Sequence, residues 1–191
     1  MRYPKSRRAE TRERIRKAAA RLFRKKGYAG TGVDAVMEAS GLTAGAFYAH
    51  FPSKEVLLAA ALEVKPAGFD SAEQPVREFL GHYLSTGHRD HPELGCPIPS
   101  LGPEVARAGA KPRRALETHV RNLMTTFERS HRLSSRAKRE RAEAIAAMCV
   151  GAVLIARAVR DERLSQQMLA AARRTAAELL GLSGRSQRAR A

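Results

Sequence analysis

The residues of this 191-residue chain best suited to chemistry are two cysteines, six histidines and 19 acids. Their densest grouping is His88-Arg89-Asp90-His91, followed by Cys96. His, Asp and Cys are all metal-ligand types, yet the spacing fits no tight zinc signature. The reading is therefore loop-capping or surface histidines, with no metal site. Cys96 stands in Gly95-Cys96-Pro97, ahead of a short helical stretch. A helix N-terminus can lower a thiol's pKa, which opens a thiol-based redox or electrophile sensor as an alternative reading. The plainer reading is a small thiol packing its loop, as Cys149 packs within an apolar helix. Nucleophilic and phosphoryl-transfer chemistry lack their motifs: there is no Gly-x-Ser-x-Gly, no glycine-rich phosphate loop and no paired carboxylates. The expectation is a protein that is not an enzyme, with no catalytic residue and no cofactor.

What the sequence does carry is charge. Lys and Arg total 35, the formal net charge is +16 and the pI is about 11.0. That balance favours a polyanionic partner. Hydrophobic residues make up 43%, too many for a disordered basic tail. Two cysteines exclude a disulfide framework. No apolar stretch follows the first residues, so no signal peptide is expected. The uncharged run 144–156 is too short to cross a bilayer, so no membrane partner is expected. The expected location is cytoplasmic.

The elements that must position this charge read as helices throughout. Ile15, Ala18, Ala19, Leu22 and Phe23 form one apolar stripe over 11–26, with basic residues on the other faces and Gly27 as the stop. A short helix fits 33–40, ended by Gly41, and a second fits 43–51, with Thr43 as its N-cap. Ser53 caps the next helix, to about 64. The 65–68 segment, Lys-Pro-Ala-Gly, reads as a break. Helices follow over about 75–86, 104–108, 112–131, 135–160 and 164–180, and 87–103 reads as loop because of its prolines and glycines. The 135–160 helix is apolar on two faces. Ile145, Met148, Cys149, Ala152 and Ala156 suit its own domain, and Ala144, Ala147, Gly151 and Leu154 suit a partner helix. With Leu169, Ala172 and Ala176 of the last helix they predict a four-helix dimer interface.

Two short helices around Gly41-Leu42, preceded by a basic helix, match a helix-turn-helix. In its stretches Thr11-Arg12-Glu13-Arg14-Ile15, Leu22-Phe23, Gly27-Tyr28, Ala39-Ser40-Gly41-Leu42-Thr43 and, most densely, Gly45-Ala46-Phe47-Tyr48-Ala49-His50-Phe51-Pro52-Ser53-Lys54-Glu55, the chain resembles the DNA-binding domain of the TetR family of bacterial transcriptional regulators. The resemblance covers about 48 residues, Thr11 through Leu58. It implies an all-α fold, with an N-terminal three-helix helix-turn-helix domain (1–52, including a basic arm) and a C-terminal helical bundle for ligand binding and dimerisation (53–182). A basic disordered tail is expected over 183–191 from composition.

The resemblance further implies that Thr43 caps the recognition helix and touches a phosphate. Tyr48, His50, Lys54 and Thr31 would contact phosphates too. Ala44 and Ala46 stand where longer polar side chains are common, so base readout would lean on thymine methyls and DNA shape. Arg2, Lys5, Arg7 and Arg8 of the arm could add phosphate or minor-groove contacts. The implied partners are a near-palindromic double-stranded operator, a second copy of the chain as a homodimer, and a small-molecule effector. Phe79, Tyr83, Leu94, Cys96, His119, Leu123, Met124, Phe127 and Met148 are the candidate effector-lining residues. The implied role is a repressor released from its operator by that effector. A general nucleic-acid binder, held by charge without sequence choice, is the rival reading.

Overall fold

The computed structural model describes residues 5–66, 75–129 and 135–182. The expected tail over 183–191, the first four residues of the arm and part of the 65–68 break lie outside the described residues. All regular structure among the described residues is helical, as the periodicity requires. Contacts divide the chain into two compact units.

The first unit holds residues up to 66 together with 92–117. Its helices are α1 (Lys5–Lys26), α2 (Val33–Ala39), a 3₁₀ segment (Ala44–Ala49) and α3 (Lys54–Leu62). To these it adds a 3₁₀ turn (Pro92–Leu94), α6 (Pro97–Val105) and the start of α7 (Ala110–Glu128). Helix α1 starts earlier than the stripe alone indicates, at Lys5, so the nearer part of the arm is helical. Ile15, Ala19 and Phe23 are fully buried with Met37, Phe47, Phe51, Leu57 and Leu58 in one core. Leu57 and Leu58 tie α3 into this core, so the unit continues past the boundary expected after residue 52. Ser53 accepts a hydrogen bond from the Val56 amide (3.2 Å), as a capping serine should.

The segment 87–103 corrects the sequence reading. It is largely helical rather than loop: α5 (Thr86–Asp90), the turn 92–94 and α6. Proline is compatible with a first helical turn, where no N–H partner exists. Pro97 and Pro99 start α6 in that way, and Pro103 only forfeits one bond inside it. The short helix expected at 104–108 is the end of α6, which stops at Val105.

Two carboxylates hold α6 and α7 to the N-terminal helices. Glu104 accepts from the amides of Tyr28 (2.8 Å) and Ala29 (2.7 Å), just past Gly27, where φ is +78°. Glu55 accepts from the Gly109 amide at 2.8 Å. A Cβ on Gly109 would come too close to the Glu55 Oε1, so a larger residue there would push the carboxylate aside.

The second unit holds α4 (Val76–Tyr83), α5, the rest of α7, α8 (Ser135–Ala158) and α9 (Glu162–Leu179). The α8–α9 pair is its most extensive packing. Asp161 caps α9 by accepting from the amides of Arg163 (2.9 Å) and Leu164 (3.1 Å). Ile145, Cys149, Ala152 and Ala156 are buried, as the first stripe of α8 predicts. Burial pushes the Cys149 thiol up to about 12, which fits a packing role. Leu169, Ala172 and Ala176 are also buried within the protomer, where α9 packs on α8 and α4. They are therefore not the partner-facing residues the sequence suggested; a helical stripe looks the same whether it meets its own chain or another.

His88 is buried against Tyr83. Its Nδ1–H donates to the Tyr83 carbonyl (2.7 Å), and Arg157 donates to the neighbouring carbonyls of His88 (2.6 Å) and Arg89 (3.0 Å). Burial holds the His88 pKa down to about 4, with Arg157 and His82 also lowering it and the Tyr83 carbonyl opposing. The imidazole is thus neutral in the folded chain, and acid favours the unfolded one. Stability should be complete above the unfolded pKa of about 6.5 and fall as pH drops toward 4, by about 2 kcal/mol at pH 5. Urea midpoints of the wild type and His88→Gln between pH 7.5 and 5 check this: the variant's curve should be flatter.

Candidate nucleic-acid interface

The helix-turn-helix is built on glycine and on buried aromatics. Gly41 (φ +67°) ends α2: its amide donates to Glu38 (2.8 Å), and Leu42 donates to Met37 (2.9 Å). This closure satisfies the last carbonyls of α2 and turns the chain toward the 3₁₀ segment. Phe47 and Phe51 are fully buried, with ring centroids 6.2 Å apart, and anchor the back of that segment. Its other side carries the exposed Thr43, Ala44, Gly45 and Tyr48. Tyr48 is 75% exposed and meets the protein by an edge contact on Phe47 (5.1 Å).

The sequence-derived site residues divide on this frame. Thr43, Ala44 and Tyr48 are each exposed. Thr43 has the extended backbone of an N-cap, but its side chain caps nothing, which corrects its expected capping role. Ala46 is half-buried and lines the groove between α1 and the segment rather than the open face. Thr31 is buried, and its hydroxyl donates to the Gly27 carbonyl at 2.7 Å. That bond commits it to the turn after α1 and removes it from the phosphate contacts. Lys54 opens α3, with Nζ 4.3 Å from the centre of the Tyr28 ring. The ring orients the ammonium at the positive end of the helix.

His50 follows the segment directly. Its pKa lies below the usual histidine range because of burial, with Arg8 and Arg12 adding to the effect. Its Nδ1 is buried without a hydrogen-bond partner among the described residues. A ring nitrogen that carries its proton can donate to an anionic oxygen.

Sequence reasoning named Arg8 only as a phosphate or minor-groove candidate and missed the roles of Arg12 and Arg14 of α1 altogether. Arg8 donates to the Ala49 carbonyl at 2.8 Å, Arg12 to the His50 carbonyl and Arg14 to the Ser40 carbonyl. Arg12 also lies 4.0 Å over the Phe51 ring. The only signal in the sequence was the i, i+4 spacing of Arg8 and Arg12, which a solvated charged face shows equally. Arg7, Arg8 and Arg14 line the groove of about 570 Å³ beside Leu42, Ala46 and Ala49. An exposed short helix with cations such as Arg7 and Lys54 near it can accept a phosphate backbone while its free face meets base edges.

The effector candidates fall in both units. Phe79, Tyr83, Leu123 and Phe127 are buried in the second, with Phe79 5.6 Å from Tyr83 and 5.9 Å from Phe127 between ring centres. Met124, Met148 and His119 are half-buried in the same unit. Leu94 and Cys96 belong to the first unit, where Leu94 is exposed and Cys96 is buried at the start of α6. Arg24 lies near this thiol and donates to the Glu93 carbonyl at 3.1 Å. Burial lowers the Arg24 pKa to about 10, and Cys96 and Glu93 oppose that shift. Among the described residues no cluster of three metal-ligand side chains forms, and no helix is long and apolar enough to cross a membrane.

Residues 15–61 match the family described as bacterial regulatory proteins, tetR family. The HTH-type transcriptional regulator YerO of Bacillus subtilis (strain 168) is 38% identical over 97 residues, which is 44% of this chain and 34% of that protein. The match thus spans about a third of the relative's own length. Among solved structures, the reduced form of Escherichia coli NemR is similar at a TM-score of 0.68 and 23% identity, over 88% of this chain and 96% of that one. A TetR transcriptional regulator from Legionella pneumophila is similar at 0.68 and 18%, over 85% and 95%. These likenesses show the fold. Residues 15–61 thus match the model of the tetR family of bacterial regulatory proteins, and the described fold is similar to that of solved TetR-family structures.

Proposed function

We propose that the protein is a homodimeric, ligand-responsive transcriptional regulator that represses by occupying a near-palindromic operator and leaves it when a small effector binds. The observation that carries the reading is the 3₁₀ segment: anchored from behind by Phe47 and Phe51, it presents Thr43, Ala44, Gly45 and Tyr48 outward, with Lys54 and His50 at its edge. Two such segments, one per subunit, would enter successive major grooves about 34–36 Å apart. The resemblance alone supports repression over activation, and a cytoplasmic location.

The dimer would form on α8. Ala144, Ala147 and Leu154 are exposed, Gly151 is half-buried, and Ile155 beside them is 41% exposed. Small residues there let a partner helix approach closely. The effector would enter the second unit among Phe79, Tyr83, Leu123, Met124, Phe127 and Met148. Glu104 and Glu55 hold α6 and α7 to the reading domain, so a displaced α6 would disturb α1 and the turn after it. A thiol sensor at Cys96 is not favoured, because the thiol is buried.

Selection of bound sequences from a random duplex pool at about 150 mM salt, near physiological ionic strength, is the direct test. An enriched inverted repeat is expected; binding without enrichment would leave only a charge-driven nucleic-acid binder. Lys54→Ala should weaken binding and flatten the log K against log salt slope by about 0.9. Tyr48→Phe should weaken binding with the slope unchanged, since a neutral hydroxyl releases no counterion. For the interface, a Cβ at Gly151 meets nothing within 4 Å inside the protomer. Gly151→Leu should therefore fold normally yet sediment as a monomer at concentrations where the wild type is a dimer.

A further inference from the structure

We infer that Arg8 and Arg12 are positioning residues that fix the recognition segment from its carbonyl end, rather than cations spent on DNA phosphates. This rests on the DNA-reading role proposed above and names the residues that set its geometry. The segment is six residues long, less than two α-helical turns, and its last carbonyls have no helix to continue into. Pro52, three residues on from Ala49, has no N–H to offer the Ala49 carbonyl. The two guanidinium groups supply what the backbone lacks. Arg8 donates to Ala49 (2.8 Å) and Arg12 to His50, the cap residue of the segment. Both place positive charge at the negative end of the segment. Arg12 adds a stack on Phe51 at 4.0 Å, linking the polar clamp to the buried anchor. Arg14 repeats the device one helix earlier, on the Ser40 carbonyl at the end of α2. Helix α1 thus fastens the carbonyl ends of both short helices, one turn of its own length apart for Arg8 and Arg12.

The consequence separates two readings of the same positive charge. A phosphate contact raises affinity for every sequence and contributes to the salt slope. A clamp on the segment's end sets where Thr43, Ala44 and Tyr48 stand, and so acts on discrimination between sequences. Arg8→Ala, Arg12→Ala and the double variant should be titrated against the selected operator and a random duplex across 50–250 mM salt, with thermal unfolding recorded alongside. Each single variant is expected to lose about tenfold in the operator-to-random affinity ratio, the effect of about one mismatched base pair. Affinity for the random duplex, its salt slope and the melting curve should stay near wild type. A slope flattened by about 0.9 per arginine on both duplexes, with the ratio unchanged, overturns the inference. If Arg12→Ala melts early because the Phe51 stack is lost, Arg8→Ala carries the test, since its bond to the segment is to the Ala49 backbone carbonyl. A wild type that discriminates while the Arg8→Ala ratio is unchanged rejects the clamp alone; a wild type with no preferred sequence rejects the regulator reading and the clamp with it.

Discussion

A six-residue helix cannot hold itself in place. Nucleating a helical turn costs more than one or two backbone bonds return, so the Ala44–Ala49 segment depends on what grips it from outside. The first unit is arranged around that need. Phe47 and Phe51 enter a core supplied by Ile15, Ala19 and Phe23 of α1 and by Leu57 and Leu58 of α3. Truncating either phenylalanine would cost about 3–5 kcal/mol, a large share of the stability of a small domain. Burial sets the depth of the segment; hydrogen bonds to its end carbonyls set its rotation.

The same logic of orphaned backbone groups recurs on the far side of the unit. Gly27 turns the chain after α1 and leaves the Tyr28 and Ala29 amides pointing outward, and Glu104 takes both. Glu55 takes the amide of Gly109 in the opposite sense, from the N-terminal helices to the α6–α7 turn. Charged acceptors on backbone donors are among the stronger hydrogen bonds, and they are directional. The reading domain thus extends beyond its first 66 residues. Residues 92–117 are part of its compact unit, which gives any strain in α6 a short route to the turn that sets α1.

Much of this was legible in the sequence, for identifiable reasons. The period of Ile15, Ala19 and Phe23, the stops at Gly27 and Gly41 and the cap at Ser53 are local signals, and local structure follows them. The spaced stretches from Thr11 to Glu55 marked the reading domain. What failed was non-local. Thr31 has the chemistry of a phosphate ligand, but its hydroxyl belongs to the turn over Gly27. Leu169, Ala172 and Ala176 form a stripe whose partner is α8 of the same chain. The prolines near 97–103 signalled loop because sequence reasoning weighs proline as a breaker, whereas in a first turn it is compatible with the helix. The arginines of α1 were legible as charge and not as clamps, because the carbonyls they cap are 26 to 41 residues away.

The composition of the reading face gives those clamps their weight. Thr43, Ala44, Gly45 and Tyr48 offer no guanidinium or amide fork that could bind a base edge bidentately, the kind of contact that tolerates small errors because the side chain can adjust. Methyl groups, a backbone approach at Gly45 and one tyrosine hydroxyl are short, stiff probes. Their discrimination depends on where the backbone stands, to within fractions of an ångström. A face of this kind needs a rigid mount more than a face of long arginines does. The net charge of +16 supplies attraction to any duplex, so specificity falls to geometry, and geometry falls to the residues that fix the segment at both its buried side and its carbonyl end.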